Sequence, residues 1–364
     1  MLAVRKATPA EWEHWDQIVT RFPNCRTVHR RAWIEWLESC HLGTPLCLVI
    51  ERDGQVVGAS PGLVTRLGLL RLYGSPLPGW QTPIMGPVFD PQRILTKELV
   101  AALLSFLENN HGVHHVELLS DSLDGAAMTE LRFRPESVPT YRAPLYPEDE
   151  KRTLLQLKDS ARRNIRRGTK LGLTVHFEES ENFVAEHYAQ VREVFVRGGN
   201  SVSFDEDRVL RFFRRMRSAG TLLATSVCLP DGISIATGLF TMDCHELLLW
   251  SWAHRTQYRW FRPTELMTWT VMQRALAAGC NTFDLMGIGD FKTKFGAELD
   301  TTKQRWVRSR YRWLKSARDL AERGYRFQQG MRGRLARMRM FGWNPEAARG
   351  ANATDEAERA ESLS

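Results

Sequence analysis

Asp-Gly pairs flanked by apolar alternation fall at Asp53-Gly54 and Asp231-Gly232, each at the same point in a recurring order of elements. Such a pair suits a tight hairpin turn and so fixes both the turn and the register of its strands. Ahead of the first, residues 10–21 and 30–40 have helical spacing and carry Trp12, Trp15, Trp33 and Trp36, which are expected in the core; a hairpin of 45–50 and 55–65 follows. A helix at 93–109, a strand at 114–119 and a short helix at 125–131 come next. The second half runs through strand 173–178, helices 181–197 and 206–219, hairpin 221–229/233–242, strand 245–252, helix 264–278 and strand 281–286. Helices, hairpin, strand, helix, strand, run twice, predict a duplicated α+β unit.

A chain of 364 residues has room for two cores, and the three prolines of SVPTYRAPLYPEDE place the boundary near residue 145. The expected division is one unit over 1–145 and a second over 146–310. A strand around 304–308 closes the second, a basic helix follows over 311–345, and the small, polar residues 346–364 form a disordered tail. Residues 66–90, dense in glycine and proline, read as strands joined by a long irregular loop. Residues 150–171 read as one strongly basic helix.

With 43% hydrophobic and 25% charged residues the composition is that of a globular protein, and no run is long enough to cross a membrane. The first residues lack the apolar core of a signal peptide, and six cysteines without a CxxC pair fit reduced thiols, so a cytoplasmic location and no structural zinc are expected. The net charge of +8 favours acidic partners: nucleic acid, nucleotide-linked substrates or an anionic membrane surface. His245-Glu246 lacks the second histidine of HExxH, which excludes a zinc protease of that type, and GxxxxGK[ST] does not occur, so the sequence does not point to a P-loop.

The chemistry concentrates in CNTFDLMGIGDFKTKFG, Cys280 to Gly296. A buried strand ends there in Gly287 and Gly289, which let bare backbone approach a ligand, and Lys292 and Lys294 follow Asp290. Backbone N–H groups and ammoniums gathered at one turn suit a phosphate or carboxylate. Lys292 is the expected anchor, with Arg163 and Arg166 either contributing from the basic helix or belonging to a solvated face. Asp284 either orients or deprotonates a reacting amine or holds the strand end in an Asx turn. Trp250 and Trp252 either line an acyl or sugar pocket or pack in the core.

These residues resemble the Fem-like and CelD-type acyltransferases, tandem relatives of the GNAT acetyltransferases. The likeness rests on SARRNIRRGTKLGL, the Asp231-Gly232 hairpin, LLLWSWAH with Arg262-Pro263-Thr264-Glu265, and above all FDLMGIGDFKTKFG, with Asp284, Gly287, Gly289, Phe291-Lys292 and Phe295-Gly296 at the family's positions. More loosely, it extends to Glu11-Trp12, Trp33, Trp36 and Asp53-Gly54 in the first half. It implies two tandem GNAT-like domains with mixed central sheets flanked by helices, the second catalytic. It also implies transfer of an acetyl or aminoacyl group to an amine of a cell-envelope precursor, polysaccharide sugar or small metabolite, without metal. The donor is acetyl-CoA or another acyl-CoA, held at Arg262 and Thr264, or aminoacyl-tRNA. The run Arg259 to Thr264 lacks both glycines of the family's pyrophosphate loop, a loss the resemblance shares with Fem-type enzymes that use charged tRNA. The acceptor implied is an anionic small molecule or lipid-linked precursor, with peripheral membrane contact. The competing reading is a non-catalytic RNA- or envelope-binding protein with a decayed donor site.

Overall fold

The computed structural model describes residues 2–243 and 245–311, together with Trp313, Leu314, Arg318 and Met331. The basic helix expected over 311–345 and the tail of 346–364 otherwise lie outside the described residues. In the first half, β1 (Leu2–Lys6) leads to α1 (Pro9–Glu13), α2 (Trp15–Val19) and α3 (Arg31–Ser39). Strands β2 (Thr44–Pro45), β3 (Leu48–Arg52), β4 (Gln55–Ser60), β5 (Leu63–Leu67), β6 (Leu70–Ser75) and β7 (Val88–Phe89) follow. Then come α4 (Thr96–His111), β8 (His115–Ser120), α5 (Gly125–Glu130), β9 (Arg134–Ser137) and β10 (Thr140–Pro144).

The second half runs α6 (Glu150–Leu155), α7 (Asp159–Lys170), β11 (Thr174–Phe177), α8 (Asn182–Arg197), α9 (Glu206–Ser218), β12 (Leu222–Cys228), β13 (Ser234–Asp243) and β14 (Glu246–His254). It ends with α10 (Pro263–Ala277), β15 (Thr282–Asp284), β16 (Glu298–Asp300) and β17 (Gln304–Ser309).

Three sheets result, ordered β1-β3-β4-β7, β2-β5-β6-β8-β17-β9 and β11-β12-β13-β14-β15-β10-β16. Their arrangement shows a reciprocal exchange. β10, from the first half, pairs antiparallel between β15 and β16, while β17, from the far end, pairs antiparallel between β8 and β9. Each exchanged strand fills what would otherwise be a gap with unpaired edges. The strand expected to close the second unit therefore belongs to the first unit's sheet, and the Pro-rich connection supplies a strand to the second.

Asp53 (φ 52) and Gly54 (φ 78) form the left-handed pair expected of the first hairpin turn, whereas at Asp231-Gly232 only Gly232 (φ 87) is left-handed. The loop expected over 66–90 contains β6, which is paired on both sides, with β5 and with β8. The basic helix expected over 150–171 is two helices, because the chain breaks after Leu155 and buries Leu157; Asp149 caps the first through the Arg152 amide. Likewise α1 and α2 divide the helix expected over 10–21 at His14.

Three of the four tryptophans expected in the core are there, and Trp12 packs, partly buried, against its edge. Trp15, Trp33 and Trp36 are buried with Phe212 and Phe213 of α9 in a cluster that joins the halves, and Trp33 stands edge-on to Phe212 at 5.5 Å. A second cluster lies under α7 and α10, a third under α4. Adjacent His114 and His115 face apart as strand alternation requires: His115 is buried against Glu117 (3.0 Å), and His114 stacks on Tyr311. Cys40, Cys47, Cys228 and Cys280 are free thiols, and Cys25 is buried.

Candidate active site

The site begins where two parallel strands part. β14 pairs with β15 only at Glu246↔Thr282, Leu247↔Phe283 and Leu248↔Asp284, yet β14 runs on to His254. A register shift sets Leu239 opposite Ser251 and Phe240 opposite Leu249, so Trp250 is the extra residue of a β-bulge just past the last parallel pair. β15 stops at Asp284, and the chain leaves through Met286 (φ 55), Gly287 (φ 77) and Gly289. The left-handed φ at Gly287 is the conformation a glycine adopts without strain. A wedge with one bare strand edge remains between the two.

At its mouth lies a cleft of about 150 Å³, lined by Trp252 and His254 of β14, Arg262, Thr264 and Glu265 at the start of α10, and Phe291. Trp252 meets Phe291 edge to face at 5.8 Å. Arg262 occupies the left-handed region (φ 53) as the residue before Pro263, and no side chain caps the free amides of α10's first turn. Those amides, with Arg259 and Arg262, make the mouth electropositive. Burial, reinforced by Arg197, Arg262 and Arg259, pushes the His254 imidazole down to about 4.

Lys292 is half-buried on the glycine turn, and its ammonium donates to the Met286 carbonyl at 2.5 Å. Burial lowers it to about 8, against the opposing pull of Asp284. No carboxylate pairs with it among the described residues, so it is a desolvated cation with room for an anion. The neighbouring Lys294, by contrast, pairs with buried Glu265 at 3.3 Å, and Asn164 of α7 donates to the same Glu265 oxygen at 2.9 Å.

Asp284 is 1% exposed. Its carboxylate accepts from Thr140 Oγ1 and the Met286 amide, both at 2.8 Å, and faces Lys303 Nζ and Arg142 Nε, each at 3.4 Å. Burial pushes its pKa up, but Lys303, Arg142 and these hydrogen bonds outweigh it and hold the group below the usual carboxylate range. Arg142 continues the network to Asp300 (3.0 Å) and Asp121 (3.3 Å), and Arg26 joins Asp121 (2.6 Å) to Glu246. Burial raises Glu246 although Arg26 opposes it. Strands of both halves are thus pinned at the wedge's base, and Thr140 Oγ1 also accepts the Gly287 amide at 3.1 Å.

Of the residues expected from the sequence, Trp252, Phe291, Arg262 and Thr264 line the cleft, while Asp284, Gly287, Gly289 and Lys292 lie at the end of β15 and on the turn that follows it. Trp250 joins neither group. The bulge turns it onto the opposite face, where it is 4% exposed and stacks on Phe212 at 4.1 Å. Arg163 and Arg166 lie exposed on α7. Thr140, Arg142 and Lys303 escaped the sequence reading because their partners lie far away in the chain. Glu265, inside a helix segment already singled out, offered only its polarity at an apolar position.

Residues 156–295, which contain the wedge, the bulge and the glycine turn, match the family model of the acetyltransferase (GNAT) domain. This part of the chain is a GNAT domain. Over these residues the protein is accordingly an acyltransferase of the GNAT type. Among solved structures, it resembles FemX (15% identity, TM-score 0.69, over 83% of this chain and 96% of that one). It also resembles L-PGS from Bacillus licheniformis (12%, TM-score 0.52, over 88% and 97%) and a tandem GNAT protein of the clavulanic acid biosynthesis pathway (11%, TM-score 0.51, over 85% and 98%). These likenesses show a tandem GNAT-like fold with mixed sheets flanked by helices. No curated protein matches the chain in sequence. Among the described residues no helix is long and apolar enough to cross a membrane, and no group of three or more His, Cys, Asp or Glu could hold a metal.

Proposed function

We propose that the chain transfers an acyl group from a polyanionic donor to an amine, with the unit of 146–310 acting and that of 1–145 supporting it. The observation that carries this is Lys292: a half-buried ammonium with no carboxylate partner among the described residues, bonded to the Met286 carbonyl on the glycine turn that follows β15, where β14 and β15 part. In the reaction the amine nitrogen attacks the acyl carbonyl carbon. The new C–N bond forms, the C–S or C–O bond to the donor breaks, and the leaving thiolate or alkoxide takes up the proton the amine gives up. Lys292 holds a substrate anion or the oxyanion that develops on the carbonyl oxygen. Asp284, already fully engaged, positions the turn rather than removing a proton.

GNAT domains typically take acyl-CoA, and the cleft supplies Arg262, Thr264 and the first-turn amides of α10 for its phosphates. A charged tRNA as donor is supported by a different observation. Arg163, Arg166, Arg167 and Lys170 lie exposed along α7 without an ion pair among the described residues, and α7 packs on α10 beside the cleft. Dispersed cations of this kind suit a phosphate backbone better than a single pyrophosphate. The likeness to FemX and to the C-terminal domain of a putative lysylphosphatidylglycerol synthetase from Agrobacterium fabrum makes a cell-envelope or lipid acceptor the first to try.

The test incubates the purified protein with an amine and either acetyl-CoA or aminoacyl-tRNA, following free thiol or deacylated tRNA. Amine-dependent release with one donor, lost in Lys292→Ala, is expected. Release with neither, or release indifferent to Lys292, refutes the assignment.

A further inference from the structure

One end of the six-stranded sheet carries apolar side chains that the fold leaves in water. The registers Leu72↔His115 and His115↔Ser309 set the start of β6, the start of β8 and the end of β17 at one level. Beyond that level project the β5–β6 turn, His114, Arg310, Tyr311 and Trp313. At the turn Leu69 is 98% exposed and Leu67 65%. The His114 amide donates to the Arg71 carbonyl (2.8 Å), the Arg71 amide donates to His114 Nδ1 (3.2 Å), His114 stacks on Tyr311, and Tyr311 stacks on Trp313. Tyr311 and Trp313 are themselves exposed, so two leucines and two aromatics form one fringe.

The charge of this fringe is of one sign. Arg66 is exposed and has no ion pair among the described residues, Arg310 lies 5.8 Å over the Tyr311 ring, and Arg71 bonds only the His111 carbonyl through its guanidinium. No aspartate or glutamate occurs between Asp53 and Asp90 or between Asp300 and Asp319. Leucines at a tight tip, aromatics with polar edges beside them and arginines behind are the chemistry of a bilayer interface with anionic headgroups. A protein partner would need a shaped, apolar surface; here the leucines stand at a two-residue turn with Arg66, Arg71 and Arg310 beside them.

We propose that this sheet end docks the protein on an anionic lipid bilayer, with Leu67 and Leu69 entering the headgroup boundary and Arg66, Arg71 and Arg310 facing the phosphates. β17 leads from this end back to Lys303, which pairs with Asp284. Its six residues span roughly 20 Å. The wedge therefore stands back from a docked surface and stays open.

The full chain is floated with phosphatidylglycerol vesicles and with phosphatidylcholine vesicles. The parent is expected to bind the first and not the second, with binding that weakens as salt rises. Leu67→Ser with Leu69→Ser should lower the partition coefficient at least about tenfold, and Arg66→Gln about fivefold, at unchanged Tm. Should the double variant prove less stable, Leu69→Asn alone carries the same expectation. A double variant that binds as tightly as the parent overturns the proposal, since the basic C-terminal segment would then supply the affinity. So does a parent that binds neither vesicle, or a concentration-dependent dimer in sedimentation that the double variant lacks, which would make a second copy the occupant.

Discussion

Both halves build a parallel strand pair into the middle of a sheet, but they treat its mouth in opposite ways. In the first, β6 and β8 pair over Leu72–Ser75 and His115–Leu118, and residues 76–87 then fold back into the gap. The amides of Met85 and Gly86 donate to the Leu119 carbonyl at 3.2 and 2.8 Å, Ser75 Oγ donates to the Met85 carbonyl, and Trp80, Ile84 and Met85 are buried. In the second, the chain after β15 swings away through Gly287 and Gly289, the edge of β14 stays bare, and Lys292 bonds the Met286 carbonyl on the turn. One topology thus yields a plugged unit and an open one. The two units differ in the dozen residues after the parallel pair rather than in the pair.

The largest effect should come from removing the acid beneath the open mouth. Asp284→Ala leaves Lys303 and Arg142 buried beside a cavity, and loss of one partner of a buried ion pair costs about 3–5 kcal/mol. A large fall in Tm is expected. Asp284→Asn keeps an acceptor for Thr140 and Met286 and should be milder in Tm. If Asp284→Ala melts as the parent does, the network is not what holds the wedge.

Next is Lys292→Ala, expected to reduce kcat/KM about ten- to a hundredfold, as for a charge-assisted contact of about 1.5–3 kcal/mol, while the fold persists. Its pH dependence carries a sign. Because burial puts the group near 8, the ammonium and the activity should be lost as pH rises through about 8. Stability should move the other way. A lysine with a lowered folded pKa binds fewer protons folded than unfolded between about 8 and its ordinary value of 10.5, so this contribution to stability increases with pH across that window. Lys292→Arg should remove the falling limb near pH 8; a limb that persists belongs to another group.

The open mouth was legible in the sequence because its signals are local: a β-rich run, two glycines and a lysine within one turn. The exchange of β10 and β17 was not. Each is short, and its pairing is decided by partners far along the chain, so no periodicity marks which sheet takes it. Trp250 was misplaced because alternation assigns faces only to an unbulged strand. The ion pairs that hold Asp284 gave no sign in the sequence, since Arg142 comes from β10 itself and Lys303 from the residue just before β17.

The plugged mouth can be tested with one methyl group. In Gly86→Ala the new Cβ would lie 2.7 Å from Ser120 Cβ and 3.0 Å from the Leu119 carbonyl oxygen, so the backbone must shift, at about 1–3 kcal/mol as in an overpacked core. Tm should fall while kcat/KM per folded molecule holds. A loss of activity at constant Tm would mean that the first unit contributes to the chemistry.

The smallest change probes how the two halves meet at the active wedge. Thr140 comes from the first half's last strand. Its hydroxyl donates to Asp284 at 2.8 Å and accepts the Gly287 amide at 3.1 Å, so one oxygen ties the acid to the glycine turn. Thr140→Val keeps the shape and removes both bonds. Asp284 retains the Met286 amide, Lys303 and Arg142, and the turn retains the bond from the Tyr141 amide to the Gly287 carbonyl (3.2 Å), so the loss in stability should be only about 1 kcal/mol. Activity should fall further than stability, because the Gly287 amide is freed and the turn that presents Lys292 is loosened. The signature is a reduced kcat at nearly constant Tm, with Thr140→Ser restoring it. A kcat equal to the parent's in Thr140→Val would show that the turn is held by its own backbone, and that the strand donated by the first half supports the sheet without shaping the site.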